Sequence, residues 1–337
     1  MKIKELTNYL ETVAPSSLQE SYDNAGLIIG NDDMEISGVL ISLDCIEEVV
    51  DEAIANNCNI IVAHHPIVFS GLKKINGKNY VERTVIKAIK NDIAIYAIHT
   101  NLDNVYEGVN KRIADKLGLI RTGILAPKPN LLKKLVTFVP VDSAEKVKQA
   151  IFDAGAGHIG NYSECSFAAP GLGSFKASSE ANPFVGEIEK QHQEQEIRLE
   201  TIFPAFLQTQ ILAALIKNHP YEEVAYDIYP IENFFEKTGS GLVGELENEM
   251  SPEEFLKYLK NNMDLDVIRF TPFSKNIKRV KYHEFFDAEK KLMIADIGHY
   301  ESEKFTKELL SELILKKFHT FAVLLSKTNT NPVNYYY

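Results

Sequence analysis

Three short stretches hold the side chains best able to do chemistry. Asn59-Ile60-Ile61-Val62-Ala63 runs into His64-His65-Pro66, residues 93–98 run into His99-Thr100-Asn101-Leu102-Asp103, and residues 292–297 run into Gly298-His299-Tyr300-Glu301-Ser302-Glu303. In each case an apolar run, read as a buried strand, ends in a histidine, and in the second and third a carboxylate follows four residues on, at Asp103 and Glu303. Adjacent strand residues point to opposite faces, so His64 and His65 cannot grip one ion from within a regular strand. At a strand end turning into a loop they can serve two neighbouring ions. Pro66 cannot donate to a ladder and stops the pairing there. His299 and Glu303 stand at i, i+4 and face one side of a helix that reaches back to 299. Each group also has a plain structural reading. Asp103 suits the N-cap of a helix starting near Tyr106, Glu303 suits the positive end of a helix over 305–318, and Asp23-Asn24 suits a turn. Convergence at one sheet edge is what raises the chemical reading above these.

The elements that would position them follow an α/β alternation. Ile3, Leu6, Tyr9, Leu10 and Val13 mark an amphipathic helix that Pro15 ends, and a polar turn at 20–26 leads into an apolar run. A strand at 39–43, a helix at 46–55, a strand at 59–63, a helix at 82–90 and a strand at 93–98 then predict a parallel sheet with helices on its faces. Ligands bind outside the carboxyl ends of such strands, where His64, His65 and His99 fall.

The pattern changes over 129–238. A strand at 135–139, a helical face of Ala144, Val147, Ala150 and Ile151, a short strand at 163–168, a glycine- and serine-rich loop to about Pro183, a solvated turn at 191–196, an alternating strand through Ile197, Leu199, Thr201 and Phe203, a helix at 208–217 and a strand at 224–229 follow. Strand, helix, strand, strand, helix, strand is the split βαβ, ferredoxin-like order. Afterwards Gly239-Ser240-Gly241 reads as a hinge or turn, Ser251-Pro252-Glu253-Glu254 as a capped helix start, and 305–318 as a long amphipathic helix. The expected organisation is a first α/β lobe over 1–128, an inserted ferredoxin-like α+β domain over 129–238 and a second α/β lobe over 239–337. The two similar lobes, with mostly parallel sheets, would form one metal-binding unit.

At 337 residues the chain exceeds what one core usually supports, and 45% hydrophobic with 25% charged residues is a globular composition. No run is long enough for a membrane span, and charges in Met1-Lys2-Ile3-Lys4-Glu5-Leu6 argue against an export signal. Cys45, Cys58 and Cys165 lack metal-ligand spacing and are expected as reduced thiols in a cytoplasmic protein. A net charge of −11 disfavours a broadly basic nucleic-acid surface.

Taken together, Tyr22-Asp23-Asn24-Ala25-Gly26-Leu27, Ala63-His64-His65-Pro66, His99-Thr100-Asn101-Leu102-Asp103, Lys281-Tyr282-His283-Glu284 and Gly298-His299-Tyr300-Glu301-Ser302-Glu303 resemble the GTP cyclohydrolase I type 2 homologue, or Nif-three-like, family. The insert is similar to the PII-like module of the longer bacterial members, with Ala181-Asn182-Pro183-Phe184 and His219-Pro220-Tyr221-Glu222-Glu223 as landmarks. The resemblance implies a dinuclear metal site in a toroidal homohexamer, with ligands at His64, His65, Asp103, His299 and Glu303. It places His99 in a supporting or proton-transfer role. One departure stands out: Ile277-Lys278-Arg279-Val280 runs straight into Lys281, where the family has a longer glycine-bearing segment and a further strand.

Imidazole and carboxylate donors without cysteine suit zinc, iron, manganese or cobalt. Asp103 and Glu303 can bridge a pair of such ions. The pair would share a water, lower its pKa and offer hydroxide to the carbon or phosphorus of a small-molecule substrate, a guanine nucleotide or related phosphorylated compound. The alternative is a metal-holding hexamer that binds or regulates a protein or nucleic-acid partner without turnover. No phosphate-cradling glycine loop identifies a nucleotide pocket.

Overall fold

The computed structural model of the chain describes residues 1–282 and 292–336. They fall into two compact units, one of Met1–Ala126 with Lys237–Tyr337 and one of Pro127–Glu236. The first unit opens with α1 (Ile3–Val13), β1 (Gly26–Ile29), β2 (Gly38–Ser42), α2 (Glu47–Ala55), β3 (Ile60–Ala63), α3 (Tyr80–Lys90), β4 (Ala94–Ala97), α4 (Thr100–Asp103), α5 (Val109–Lys116) and β5 (Ile120–Pro127). The second holds β6 (Leu132–Pro140), α6 (Ala144–Asp153), β7 (Ser166–Lys176), β8 (Gln191–Pro204), α7 (Gln208–Asn218) and β9 (Tyr226–Ile231). The chain returns to the first with β10 (Gly239–Met250), α8 (Pro252–Met263), β11 (Arg269–Phe270), β12 (Ile277–Tyr282), β13 (Ala295–Asp296), α9 (His299–Glu303), α10 (Thr306–Lys317) and β14 (Ala322–Leu325).

The main sheet runs β1-β4-β3-β2-β14, parallel except for β1, which pairs antiparallel with β4. Every residue of β2, β3 and β4 is buried, as their β-branched runs require of strands covered on both faces. The pleat divides them. Val39, Ile41, Ile60, Val62, Ala94 and Tyr96 pack with Ile3, Leu6 and Leu10 of α1 and with Leu310 and Ile314 of α10. Leu40, Ile61, Ala63 and Ile95 pack with Val49, Val50 and Ala53 of α2 and Ala88 of α3.

The fold is mixed α/β with several sheets, and the segments flanking the second unit share them. β14 closes the sheet built by the N-terminal segment, and β5 joins β10 and β12. The apolar run at 292–297 forms only the two-residue β13, paired with β11. Gly239-Ser240-Gly241, expected as a hinge, begins the long strand β10, anchored by the Gly239 amide on the Asn104 carbonyl. The capping box forms as expected: the Ser251 hydroxyl accepts from the Glu254 amide with Pro252 in the first turn. His283 and Glu284 lie outside the described residues.

In the second unit the sheet order is β7-β8-β6-β9, every pair antiparallel. β7 extends into the glycine- and serine-rich stretch as far as Lys176, and β8 begins within the charged run expected as a turn. The ladder from Ser166↔Thr201 to Lys176↔Gln191 pairs the facing backbone groups of the two strands, so side-chain polarity there does not break them. Among the described residues no helix is long and apolar enough to cross a membrane.

Candidate metal centre

The end of β3 delivers His64 and His65, whose amides are held by the Ser42 and Leu43 carbonyls at the end of β2. The end of β4 delivers His99, the N-cap residue of the short α4, whose last residue is Asp103. Asp103 is therefore not the N-cap of the following helix; Gly108 holds that position for α5. Glu303 likewise closes a separate short helix, α9, that His299 opens, instead of lying in the first turn of α10. Gly298 makes that entry possible. Its φ is +90°, and a Cβ there would collide with the Glu301 carboxylate.

These elements bring the six side chains to one place. Glu303 Oε2 accepts from His65 Nε2 at 2.9 Å and His299 Nε2 at 2.8 Å, with His64 Nε2 3.9 Å away. His64 Nε2 also lies 3.8 Å from Asp103 Oδ1. One donor atom from each of His64, His65 and His99 lies within 4.8 Å of the others, and the same holds for His65, His299 and Glu303. His65 is common to both groups. The rings of His64 and His65 sit 4.9 Å apart, and that of His99 stands 5.3 Å from each.

Protonation follows from the partners. His64 is fully buried, and its Nδ1–H donates to the Ile98 carbonyl at 2.8 Å, because a carbonyl can only accept. Its Nε2 lone pair is therefore free, and that nitrogen is buried with no hydrogen-bond partner. Burial pushes the imidazole down to about 3, so it stays neutral, the form that binds metal. Burial also disfavours charge on His65, but hydrogen bonds to Asp44 and Glu303 outweigh it and hold the ring up at about 9. His299, 72% exposed, is raised chiefly by its bond to Glu303. Burial alone would raise Glu303; the bonds from His299 and His65 win, and its carboxyl is lowered. Asp103 goes the other way, raised well above the usual range by burial and by the charge of Glu303. A neutral imidazole with an orphaned lone pair, beside an ionised Glu303 and an Asp103 whose ionisation that charge disfavours, is a donor set that could hold a metal ion.

Two acids set the imidazoles from behind. Asp44, just beyond β2, accepts from His65 Nδ1 at 2.8 Å and from Thr330 Oγ1 at 2.6 Å. Asp23 accepts from His99 Nδ1 at 2.8 Å and from the Thr100 amide and hydroxyl. Burial opposes ionisation of Asp23, but the bonds from His99 and Thr100 hold it low. Asp44 was not legible as a site residue; its place at the carboxyl end of the strand beside β3 was the available signal. Asp23 suits a turn from the sequence, and its carboxylate does accept from the Asn24 amide at 2.7 Å, but it also orients His99. The remaining described histidines stand apart: His158 and His319 are exposed, His192 bonds Glu194, and His219 bonds the Phe138 carbonyl.

A family model described as Duf34/NIF3 (NGG1p interacting factor 3) matches residues 1–281 and 279–332. The sequence is 37% identical over 366 residues to the GTP cyclohydrolase 1 type 2 homolog of Bacillus subtilis strain 168, covering 98% of each chain. It is 38% identical over 359 residues to the like-named protein of Halalkalibacterium halodurans, covering 96% of each. Among solved structures, a Bacillus cereus protein related to NIF3 superposes with a TM-score of 0.85 at 36% identity, covering 100% of this chain and 99% of that one. A Staphylococcus aureus protein superposes with a TM-score of 0.75 at 27% identity and the same coverage.

Proposed function

The chain belongs to the Duf34/NIF3 family, and on that premise we propose that it is a dinuclear metal-dependent hydrolase of the GTP cyclohydrolase 1 type 2 homolog kind. The observation that carries this reading is the meeting of three histidines from two distant parts of the sequence around one oxygen of Glu303, one of them with a buried, unpartnered nitrogen. We assign His64, His65, Asp103, His299 and Glu303 as ligands to a pair of divalent ions. Zinc, iron, manganese and cobalt all suit the nitrogen and oxygen donors. Such ions, when bound, supply a Lewis acid and bring the pKa of a water towards neutrality.

The protein's own groups do the rest. His64 is locked as the Nδ1–H tautomer by the Ile98 carbonyl, so its ligating nitrogen needs no proton loss. His65 is aimed by Asp44 and His299 by its place one turn before Glu303. His99, with Nδ1–H given to Asp23, keeps Nε2 for accepting or returning a proton at the substrate. The substrate class is a nucleotide or related phosphorylated compound and the assembly a toroidal homohexamer with a PII-like insert; these assignments rest on the family. The compartment is the cytoplasm, a reading that rests on three cysteines without metal-ligand spacing.

The test is to incubate metal-loaded protein with GTP and a panel of phosphorylated compounds, with and without chelator. Chelator-sensitive turnover is expected. Stable metal binding with no turnover of any compound would overturn the hydrolase and leave the metal-holding scaffold.

A further inference from the structure

The second unit contains a cavity of about 770 Å³, inside the range of about 300–1,000 Å³ usual for small-molecule sites. Its position follows from the pleat. One face of the sheet, with Leu135, Val139, Leu199 and Phe203, is covered by Val147 and Ile151 of α6 and Ile211 and Leu215 of α7. Among the described residues of this unit, both α-helices lie on that first face, and none covers the other. There Phe138 opposes Arg198, Arg198 opposes Ala169, and Glu196 opposes Gly171. Ala169, Gly171 and Gly173 keep the β7 side of this floor shallow, and the space above it is bounded by Phe184 and by Tyr221 to Glu223. At Gly173 any Cβ would collide with the Glu196 carboxylate, so a larger residue would displace the one buried acid of the floor.

Glu196 is 8% exposed, and Oε1 accepts from the Tyr221 hydroxyl at 2.9 Å. Among the described residues no cation pairs with it. Arg198 is held by Glu200, which also binds Lys134, and Lys176 is exposed. His219 is no counter-ion either. Its Nδ1 accepts from the Tyr221 amide while Nε2–H donates to the Phe138 carbonyl, which makes it the neutral tautomer. Glu222 and Glu223 also line the cavity, as do Lys176 and Arg198, so its three carboxylates outnumber its two cations. The Tyr221 ring lies 6.0 Å from Phe175 and 6.3 Å from Phe184, inclined at 60° and 51°, so three aromatic rings border the same space at different angles. A buried carboxylate without a cation leaves a charge for a ligand to satisfy, and aromatic faces attract the same sign of ligand.

We propose that this cavity binds an organic ammonium ion, with the cationic head against Glu196 and the rings of Phe175, Phe184 and Tyr221 and the apolar body along the Ala169–Gly173 floor. Neither the metal centre nor its chemistry enters the proposal.

The full-length protein would be titrated by calorimetry with choline, benzyltrimethylammonium and spermidine, and with 3,3-dimethylbutan-1-ol, the uncharged shape-mimic of choline. At least one ammonium ion should saturate the protein at millimolar concentration or below, with the alcohol weaker than choline by about tenfold. Glu196→Gln should weaken the ammonium ion by about tenfold, and Phe184→Ala, which removes a largely exposed ring and so spares the fold, by about threefold or more. Absence of saturation by all the ammonium ions, equal binding of choline and the alcohol, or affinity unchanged in both variants would overturn the proposal.

Discussion

Asp44 and Asp23 stand one step behind the imidazoles and fix what those rings can do. Removing such an outer carboxylate commonly costs about 10–100-fold in metal affinity or activity. Asp44→Ala should therefore weaken metal binding by about that factor in competition with a chromophoric chelator, with circular dichroism unchanged. Unaltered affinity would remove Asp44 from the centre. Asp23→Asn leaves the His99 ring without its anionic acceptor. It should lower turnover by about 10–100-fold while metal content stays at the wild-type level. Because His99 stands within donor reach of His64 and His65, loss of metal in this variant would instead make it a ligand.

Among the elements, the segment after β14 has the most specific attachment. The Ser326 amide donates to the Ile41 carbonyl, and Glu52 of α2 accepts from Ser326 Oγ at 2.6 Å, the Lys327 amide at 2.8 Å and Thr328 Oγ1 at 2.8 Å. Thr330 then reaches Asp44, while Asn331 Nδ2 and the Tyr335 hydroxyl each donate to Glu301 of α9 at 3.0 Å. Burial would raise Glu52, but the bonds from Lys327, Ser326 and Thr328 outweigh it and hold its carboxyl below the ordinary 4.5. A depressed folded pKa gives stability that is present above the unfolded value and lost as pH falls through the folded one. Glu52→Gln should cost about 1–3 kcal/mol at neutral pH by denaturant unfolding, and the gap to wild type should narrow as pH drops below about 4.5. A constant gap would show that its charge is not what holds the segment. Short-range signals made several elements legible beforehand: the β-branched run ending at His64, the Ser251–Glu254 capping box and the spacing of α1 all act within a few residues. What was illegible depends on partners far along the chain. The parallel pairing of Ala322–Leu325 with Gly38–Ile41, the Thr330–Asp44–His65 relay and the extension of β7 to Lys176 against Gln191 are set by tertiary neighbours, which override local glycine and serine preferences. The motifs around His64, His99 and His299 pointed to the family because their combination is specific even where each is not.

At the scale of the whole molecule, the centre ties the carboxyl edge of β3 and β4 to α9, joining the two sequence segments that already share sheets through β14 and β10. A ligand that binds only the folded state stabilises it by about 4 kcal/mol at a thousandfold excess over Kd. Chelation should accordingly lower the unfolding temperature of wild type, and His64→Ala should abolish that sensitivity. An identical melting curve with and without chelator in the wild type would mean that no ion bridges the segments. The most direct measurement is elemental analysis of the desalted wild-type protein beside Asp103→Ala and Glu303→Ala, each loaded with zinc or manganese. We expect a pair of ions per wild-type chain and loss of both in each variant. No retained metal in the wild type, or wild-type metal content in both variants, would contradict a centre built on these residues.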